Sequence, residues 1–303
     1  MKKIIMLMVC LTNLAACGDK GDEISNQTSI PKISKIYLLG SSTLENMSSS
    51  MKEIGDEENY NVENLAKGGE KIYSTCIRIG ALSGTVKFLN TTLVSNSKNY
   101  FIADWPIDQN LKSFETSILN IKGNISIDEK GYYFKFSNVK DTNIENMVYY
   151  PIKTEINNFE KNSFFIVNLG KNNLYSSDTG INTTNYIIDK NKECISYIQE
   201  NYSKKIIVLG FFTTTNANAD LINKVNELNL FWKSNYDYFY DVKNYIESNQ
   251  VWLDTNISPN NNDYTSQKDQ KLPMSLSQDV LHVNDKLNYS ISKNIFKIIK
   301  TYK

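Results

Sequence analysis

Lys35-Ile36-Tyr37-Leu38-Leu39-Gly40-Ser41-Ser42-Thr43 is a short apolar run that stops on a glycine and continues into hydroxyl residues. A run with no polar alternation fits a strand covered on both faces, as in a parallel sheet. The residues that follow change period. Leu44, Met47, Met51 and Ile54 recur on one side of the segment Thr43 to Ile54, the spacing of an amphipathic helix. A buried strand, a glycine turn and a helix form the opening unit of an α/β domain.

The same rhythm extends outward from this unit. Tyr60 to Leu65 is a candidate second strand and Lys71 to Ile79 a second helix. It resumes with Phe164-Phe165-Ile166-Val167-Asn168-Leu169, a helix over Asn185 to Asn201, and the apolar strand Lys205-Ile206-Ile207-Val208-Leu209. A helix over Asp220 to Lys233, a strand over Tyr238 to Val242 and a last helix over Leu287 to Lys300 complete it, with Asn260-Asn261-Asn262-Asp263 read as a polar loop. Five strands joined by helical crossovers predict a doubly wound, five-stranded parallel sheet of the α/β class. Between Gly84 and Tyr150 the character differs: Thr85-Val86-Lys87-Phe88-Leu89 and Tyr132-Tyr133-Phe134-Lys135-Phe136 are rich in β-formers, and Lys122-Gly123-Asn124 and Glu129-Lys130-Gly131 read as turns. The expected organisation is therefore a core of residues 35–83 and 151–303 with a β-rich lobe, 84–150, inserted into it.

The first residues read as an export signal. Lys2 and Lys3 precede a short apolar stretch, Ile4 to Ala16, which is too short for a permanent membrane span. Leu14-Ala15-Ala16-Cys17 resembles the bacterial lipobox, and that resemblance implies diacylation of Cys17 after removal of residues 1–16. The alternative is an ordinary signal with a chance cysteine. Residues 17–34 read as a flexible tether, which places the protein in the bacterial cell envelope, held at a membrane by its lipid. Cys76 and Cys194 then remain, either paired or as buried free thiols, and no zinc-ligand spacing exists.

Lys plus Arg and Asp plus Glu both number 33 in the 303 residues, giving a formal net charge of zero. With no basic stripe, nucleic acid is not an expected partner. His282 is the single histidine, so any chemistry that needs an imidazole must use it. Arg78, the only arginine, is read either as a substrate contact or as a structural ion pair beside the insert. Trp105, Trp232 and Trp252 are read as packing residues with a capacity for stacking on sugar rings.

Doubly wound sheets bind ligands at the carboxyl ends of their strands. Gly40-Ser41-Ser42 follows the first strand, Gly68-Gly69 the second, and Gly170-Lys171-Asn172-Asn173 the strand after the insert. Asp279-Val280-Leu281-His282 precedes the last helix, a spacing that lets a carboxylate orient an imidazole toward a serine. In this order the four elements resemble the GDSL/SGNH hydrolase family, with Ser41 and Asn173 standing where that family often has aspartate. The resemblance implies an SGNH-type, flavodoxin-like sheet and a serine esterase with Ser42 as nucleophile, His282 as base and Asp279 as its partner. It further implies an oxyanion site built from Ser42, Gly69 and Asn172, with no metal and no organic cofactor.

The expected substrate is an acyl ester, with acetyl favoured, on a surface glycan or another acylated small molecule. The insert, which holds none of the matched positions, is expected to govern substrate choice. Two alternatives are an O-acyltransferase using the same residues and a non-catalytic glycan-binding surface lipoprotein on a hydrolase scaffold.

Overall fold

The computed structural model describes residues 34–154 and 159–302; the export signal and Cys17 lie outside the described residues. The opening run forms β1 (Ser34–Gly40) and passes directly into α1 (Ser42–Glu57). β2 (Tyr60–Asn64) and α2 (Ile72–Arg78) follow. Next come β3 (Thr85–Phe88), β4 (Thr92–Leu93), β5 (Asn99–Ala103), β6 (Phe114–Ile118), β7 (Ile121–Asp128), β8 (Gly131–Lys135), β9 (Thr142–Asn143) and β10 (Tyr150–Thr154). The α/β rhythm returns with β11 (Phe164–Asn168), α3 (Thr184–Asn201), β12 (Ile206–Leu209), α4 (Ala219–Asn235) and β13 (Phe239–Tyr240). The chain then runs through α5 (Val242–Ile246), α6 (Gln250–Thr255), α7 (Asn261–Lys268) and α8 (Asp285–Thr301).

Five strands form one parallel sheet in the order β13-β12-β11-β1-β2. β1 shows why its sequence is apolar throughout. Ile36 and Leu38 join one buried cluster with Leu44, Met47 and Met51 of α1 and Leu287, Ile291 and Ile295 of α8. Tyr37 and Leu39 point to the other side and join Ile72 of α2, Ile195 of α3 and Trp232 of α4. Burying each such aliphatic side chain contributes roughly 1.5–3 kcal/mol, so the two faces together hold the helices on the sheet. The order of strands reverses at β1, between β2 and β11. That reversal opens a crevice at the carboxyl ends of β1 and β11. Gly40 permits the close approach there, since a Cβ on it would stand 2.5 Å from the Asn168 carbonyl oxygen.

The antiparallel strands close into a barrel in the order β10-β3-β5-β8-β7-β6, with β4 and β9 as a separate two-stranded ribbon. Along β7 buried and exposed residues alternate, and Val86, Phe101, Phe114, Ile125 and Phe134 fill the interior. Closure leaves those six strands without an open edge. The last of them, β10, runs on to Thr154, past the Tyr150 at which sequence patterning ends the lobe. Pro151 hides that continuation, because proline argues against a paired strand.

Two segments differ from expectation. The predicted strand Tyr238 to Val242 is confined to Phe239–Tyr240, because the Asp241 carboxylate accepts from the Asn244 amide and starts α5. The expected polar loop Asn260 to Asp263 is the start of α7, closed by a reciprocal capping box between Asn260 and Asp263. Cys76 and Cys194 are buried and free, and burial pushes the Cys76 thiol well up. Among the described residues, no helix is long and apolar enough to cross a membrane.

Candidate active site

Ser42 is the first residue of α1, and Ser41 occupies the N-cap position without capping through its side chain. The two serines differ in environment. Ser41 is 2% exposed and its hydroxyl finds no partner among the described residues, whereas Ser42 is half-buried and faces the crevice. Ser42 Oγ lies 2.9 Å from His282 Nε2. His282 Nδ1 lies 2.8 Å from Asp279 Oδ2 and 3.0 Å from Oδ1. The network assigns the tautomer: Nδ1–H donates to the carboxylate, leaving Nε2 to accept from the serine hydroxyl.

The loop that carries the pair is built to keep this geometry. Asp279 Oδ1 accepts from the Leu281 and His282 amides at 2.7 and 2.8 Å, so the carboxylate folds its own turn before it meets the imidazole. The Gln278 amide donates to the His282 carbonyl at 2.9 Å, and the Thr215 amide to the Val280 carbonyl at 3.1 Å. The His282 hydrogen bond, reinforced by the two amides, holds the Asp279 carboxyl below the usual carboxylate range.

Gly68 and Gly69 form a tight turn, closed by the Glu70 amide donating to the Lys67 carbonyl. Gly69 has a φ of +78°, the left-handed region that favours glycine. The turn abuts the serine: a Cβ on Gly68 would stand 3.8 Å from Ser42 Cβ. Glu45, one turn into α1, accepts from the Gly68 amide at 2.6 Å. Asn172 lies in a short 3-10 helix, Lys171–Tyr175, and its Nδ2 donates to the Glu70 carbonyl at 3.0 Å, leaving its second amide hydrogen for another acceptor. Its neighbour Asn173 is buried and structural, accepting from the Ile72 amide and donating to the Ile181 carbonyl. Ser42, Gly69, Asn172, Asp279 and His282 thus converge on one end of the sheet, at the start of α1, where the first helix amides precede the Leu44 amide that donates to the Ser41 carbonyl.

Several supporting residues carry no sequence signal of a site. Glu45 reads as an acidic residue favoured at a helix start. Glu70 is 1% exposed, and its two oxygens accept from Arg78 Nε at 3.2 Å, Arg78 Nη2 at 2.8 Å, Thr75 Oγ1 at 2.8 Å and the Lys112 amide at 3.0 Å. Arg78 therefore forms a structural ion pair and does not line the crevice as a substrate contact. Trp105, Trp232 and Trp252 are all buried and act as packing residues.

Lys171 is also buried, with its Nζ 3.2 Å from the centre of the Phe212 ring. Loss of hydration pushes its ammonium down to about 7, against a small opposing pull from Asp279.

No protein-family model matches the chain, and no curated protein matches it. A solved structure to which the chain is similar is the crystal structure of an acetyl xylan esterase, with 12% sequence identity and a TM-score of 0.44; the match covers 88% of this chain and 99% of that one.

Proposed function

We propose that the protein is a serine esterase that cleaves an acyl ester, with acetyl as the favoured acyl group and an O-acylated glycan as the favoured carrier. The observation that carries this reading is the continuous chain of contacts Ser42 Oγ–His282 Nε2 at 2.9 Å and His282 Nδ1–Asp279 Oδ2 at 2.8 Å. It supplies a nucleophile, a base with its accepting nitrogen free of the carboxylate, and a group that orients the base.

In the first step His282 Nε2 takes the hydroxyl proton as Ser42 Oγ bonds to the ester carbonyl carbon. The carbonyl oxygen becomes an oxyanion, for which the Ser42 and Gly69 amides and the Asn172 side chain are the proposed donors. Losing one such donor typically costs about 3 kcal/mol of transition-state stabilisation. Collapse breaks the bond to the alcohol oxygen, which leaves with the proton from His282, and Ser42 holds the acyl group. Water then gives a proton to His282, attacks the acyl-serine and releases the acid and a regenerated Ser42. Asp279 stabilises the imidazolium in both steps. The chain is proposed to work outside the cytoplasm, anchored through a lipid on Cys17.

Hydrolysis of p-nitrophenyl acetate, with mass spectrometry of a fluorophosphonate adduct, tests the assignment. Wild type is expected to turn over and to carry the adduct on Ser42. Ser42→Ala and His282→Ala are expected to lose nearly all turnover, whereas Ser41→Ala keeps most of it. Turnover that survives Ser42→Ala, or an adduct on Ser41, overturns the reading.

A further inference from the structure

The barrel reaches the candidate oxyanion turn through the loop between β5 and β6. From that loop the Asp108 Oδ2 accepts from the Lys71 amide at 2.7 Å, and Lys71 Nζ approaches the Ile107 carbonyl at 3.4 Å. Asn110 Nδ2 donates to the Gly69 carbonyl at 3.3 Å, and the Lys112 amide donates to Glu70 Oε1 at 3.0 Å. Consecutive residues Gly69, Glu70 and Lys71 are thus each bonded to the barrel. Gly69 is shaped to it as well, because a Cβ there would stand 2.6 Å from the Asn110 amide group.

Asp108 is the rigid part of this grip. It is 1% exposed, its amide donates to Tyr132 Oη at 2.7 Å, and its Oδ1 accepts from the Asn110 amide at 3.1 Å. Tyr132 Oη donates in turn to the Pro106 carbonyl at 3.1 Å and is buried in the barrel interior. A buried carboxylate with a backbone amide on each oxygen, on a residue whose own amide is anchored to Tyr132, is held in one orientation, and it holds the Lys71 amide in turn.

We infer that Asp108 is a positioning residue for acyl transfer: the barrel, through this carboxylate, sets the direction of the Gly69–Lys71 backbone and hence of the Gly69 amide. The inference rests on the proposed esterase reading. Asn172 belongs to the same unit, because its Nδ2 is bonded to the Glu70 carbonyl. The barrel therefore acts in bond cleavage, beyond the choice of substrate expected from its sequence. Preorganised donors must point at the place where charge develops, and a misplacement of about 1 Å costs on the order of a hundredfold in rate.

The test compares wild type, Asp108→Ala, Asp108→Asn and Asn110→Ala in the full chain, with kcat and KM for p-nitrophenyl acetate measured well below each melting temperature. Burst titration normalises for the folded fraction. Asp108→Ala is expected to lower kcat by at least ~tenfold with KM changed less than ~threefold, the signature of a transition-state interaction. Asp108→Asn keeps an acceptor for the Lys71 amide and is expected to recover most of that loss. Ile118→Ala, a cavity at the far end of β6, controls for destabilisation and is expected to lower the melting temperature while leaving kcat unchanged. Should Asp108→Ala fail to fold, Asn110→Ala, whose side chain is exposed, decides with an expected ~threefold or greater fall in kcat at an unchanged melting temperature. Wild-type kcat in every folded variant at both positions overturns the inference. Absence of Ser42-dependent turnover in wild type overturns the esterase reading instead.

Discussion

Replacing Lys171 with methionine should stabilise the protein, and by an amount that depends on pH. Lys171 is 5% exposed and sits against the Phe212 ring, so its charge is held where water is scarce. The ordinary lysine value is 10.5 and burial brings it to about 7. The unfolded chain therefore keeps the proton up to 10.5, whereas the folded chain releases it near 7. Between those values the unfolded state binds more protons, and stability rises with pH. Below about 7 both states are protonated and the folded state bears the whole cost. At ~1.4 kcal/mol per pH unit, the interval corresponds to a ceiling on the order of 5 kcal/mol. Local relaxation and water penetration lower it, and the lost contact with Phe212, desolvated as it is, removes about 2 kcal/mol from the gain. Methionine fills a similar volume without charge, so Lys171→Met is expected to gain at least ~1.5 kcal/mol at pH 6.5 and to approach wild type as pH nears 10.5. Urea unfolding of both proteins at pH 6.5, 8 and 10 measures this directly. A variant no more stable than wild type at pH 6.5, or a difference that stays constant up to pH 10, refutes the account of Lys171 as a charge buried at a cost.

Gly69→Ala should combine backbone strain with a clash. The left-handed conformation costs about 1–2 kcal/mol for a residue with a Cβ, and that Cβ would meet Asn110 at 2.6 Å. A lower melting temperature together with a reduced kcat for p-nitrophenyl acetate is expected; unchanged values of both contradict the turn geometry. Cys17→Ser should move the protein from the membrane fraction to the soluble fraction without loss of esterase activity. Unchanged partitioning counts against lipidation.

The sheet was legible because its strands carry an unambiguous pattern. β1, β11 and β12 are buried on both faces, so each shows as an apolar run, and α1, α3, α4 and α8 are long enough to display their period. The short helices α5, α6 and α7 fall below that length, and the starts of α5 and α7 depend on side-chain caps by Asp241 and Asn260 that resemble loop chemistry. Strand alternation marked the insert as β-rich, but closure into a barrel depends on the pairing of β10 with both β3 and β6. Such long-range partners leave no local trace.

The site divides along the same line. Ser42, Asp279 and His282 stood out through order and placement: Gly40-Ser41-Ser42 ends the first strand, and the single histidine of the chain falls three residues after Asp279, just before the last helix. The groups that hold them did not stand out, since Glu45, Glu70 and Asp108 are acidic residues of the kind that usually line a solvated surface. Burial changes the meaning of Glu70 and Asp108. A buried carboxylate must be paired, and Glu70 finds Arg78, Thr75 and the Lys112 amide at once. Such a pair adds little net stability compared with well-packed apolar residues, yet removing one partner costs about 3–5 kcal/mol. Its consequence here is geometric. Glu70 follows Gly69, belongs to the core, and is bonded to the barrel through Lys112, so the chain's only arginine locks the turn between the two folded parts. A uniformly apolar contact at that position would let the turn slide, whereas directional bonds to both sides give the Gly69 amide a single aim.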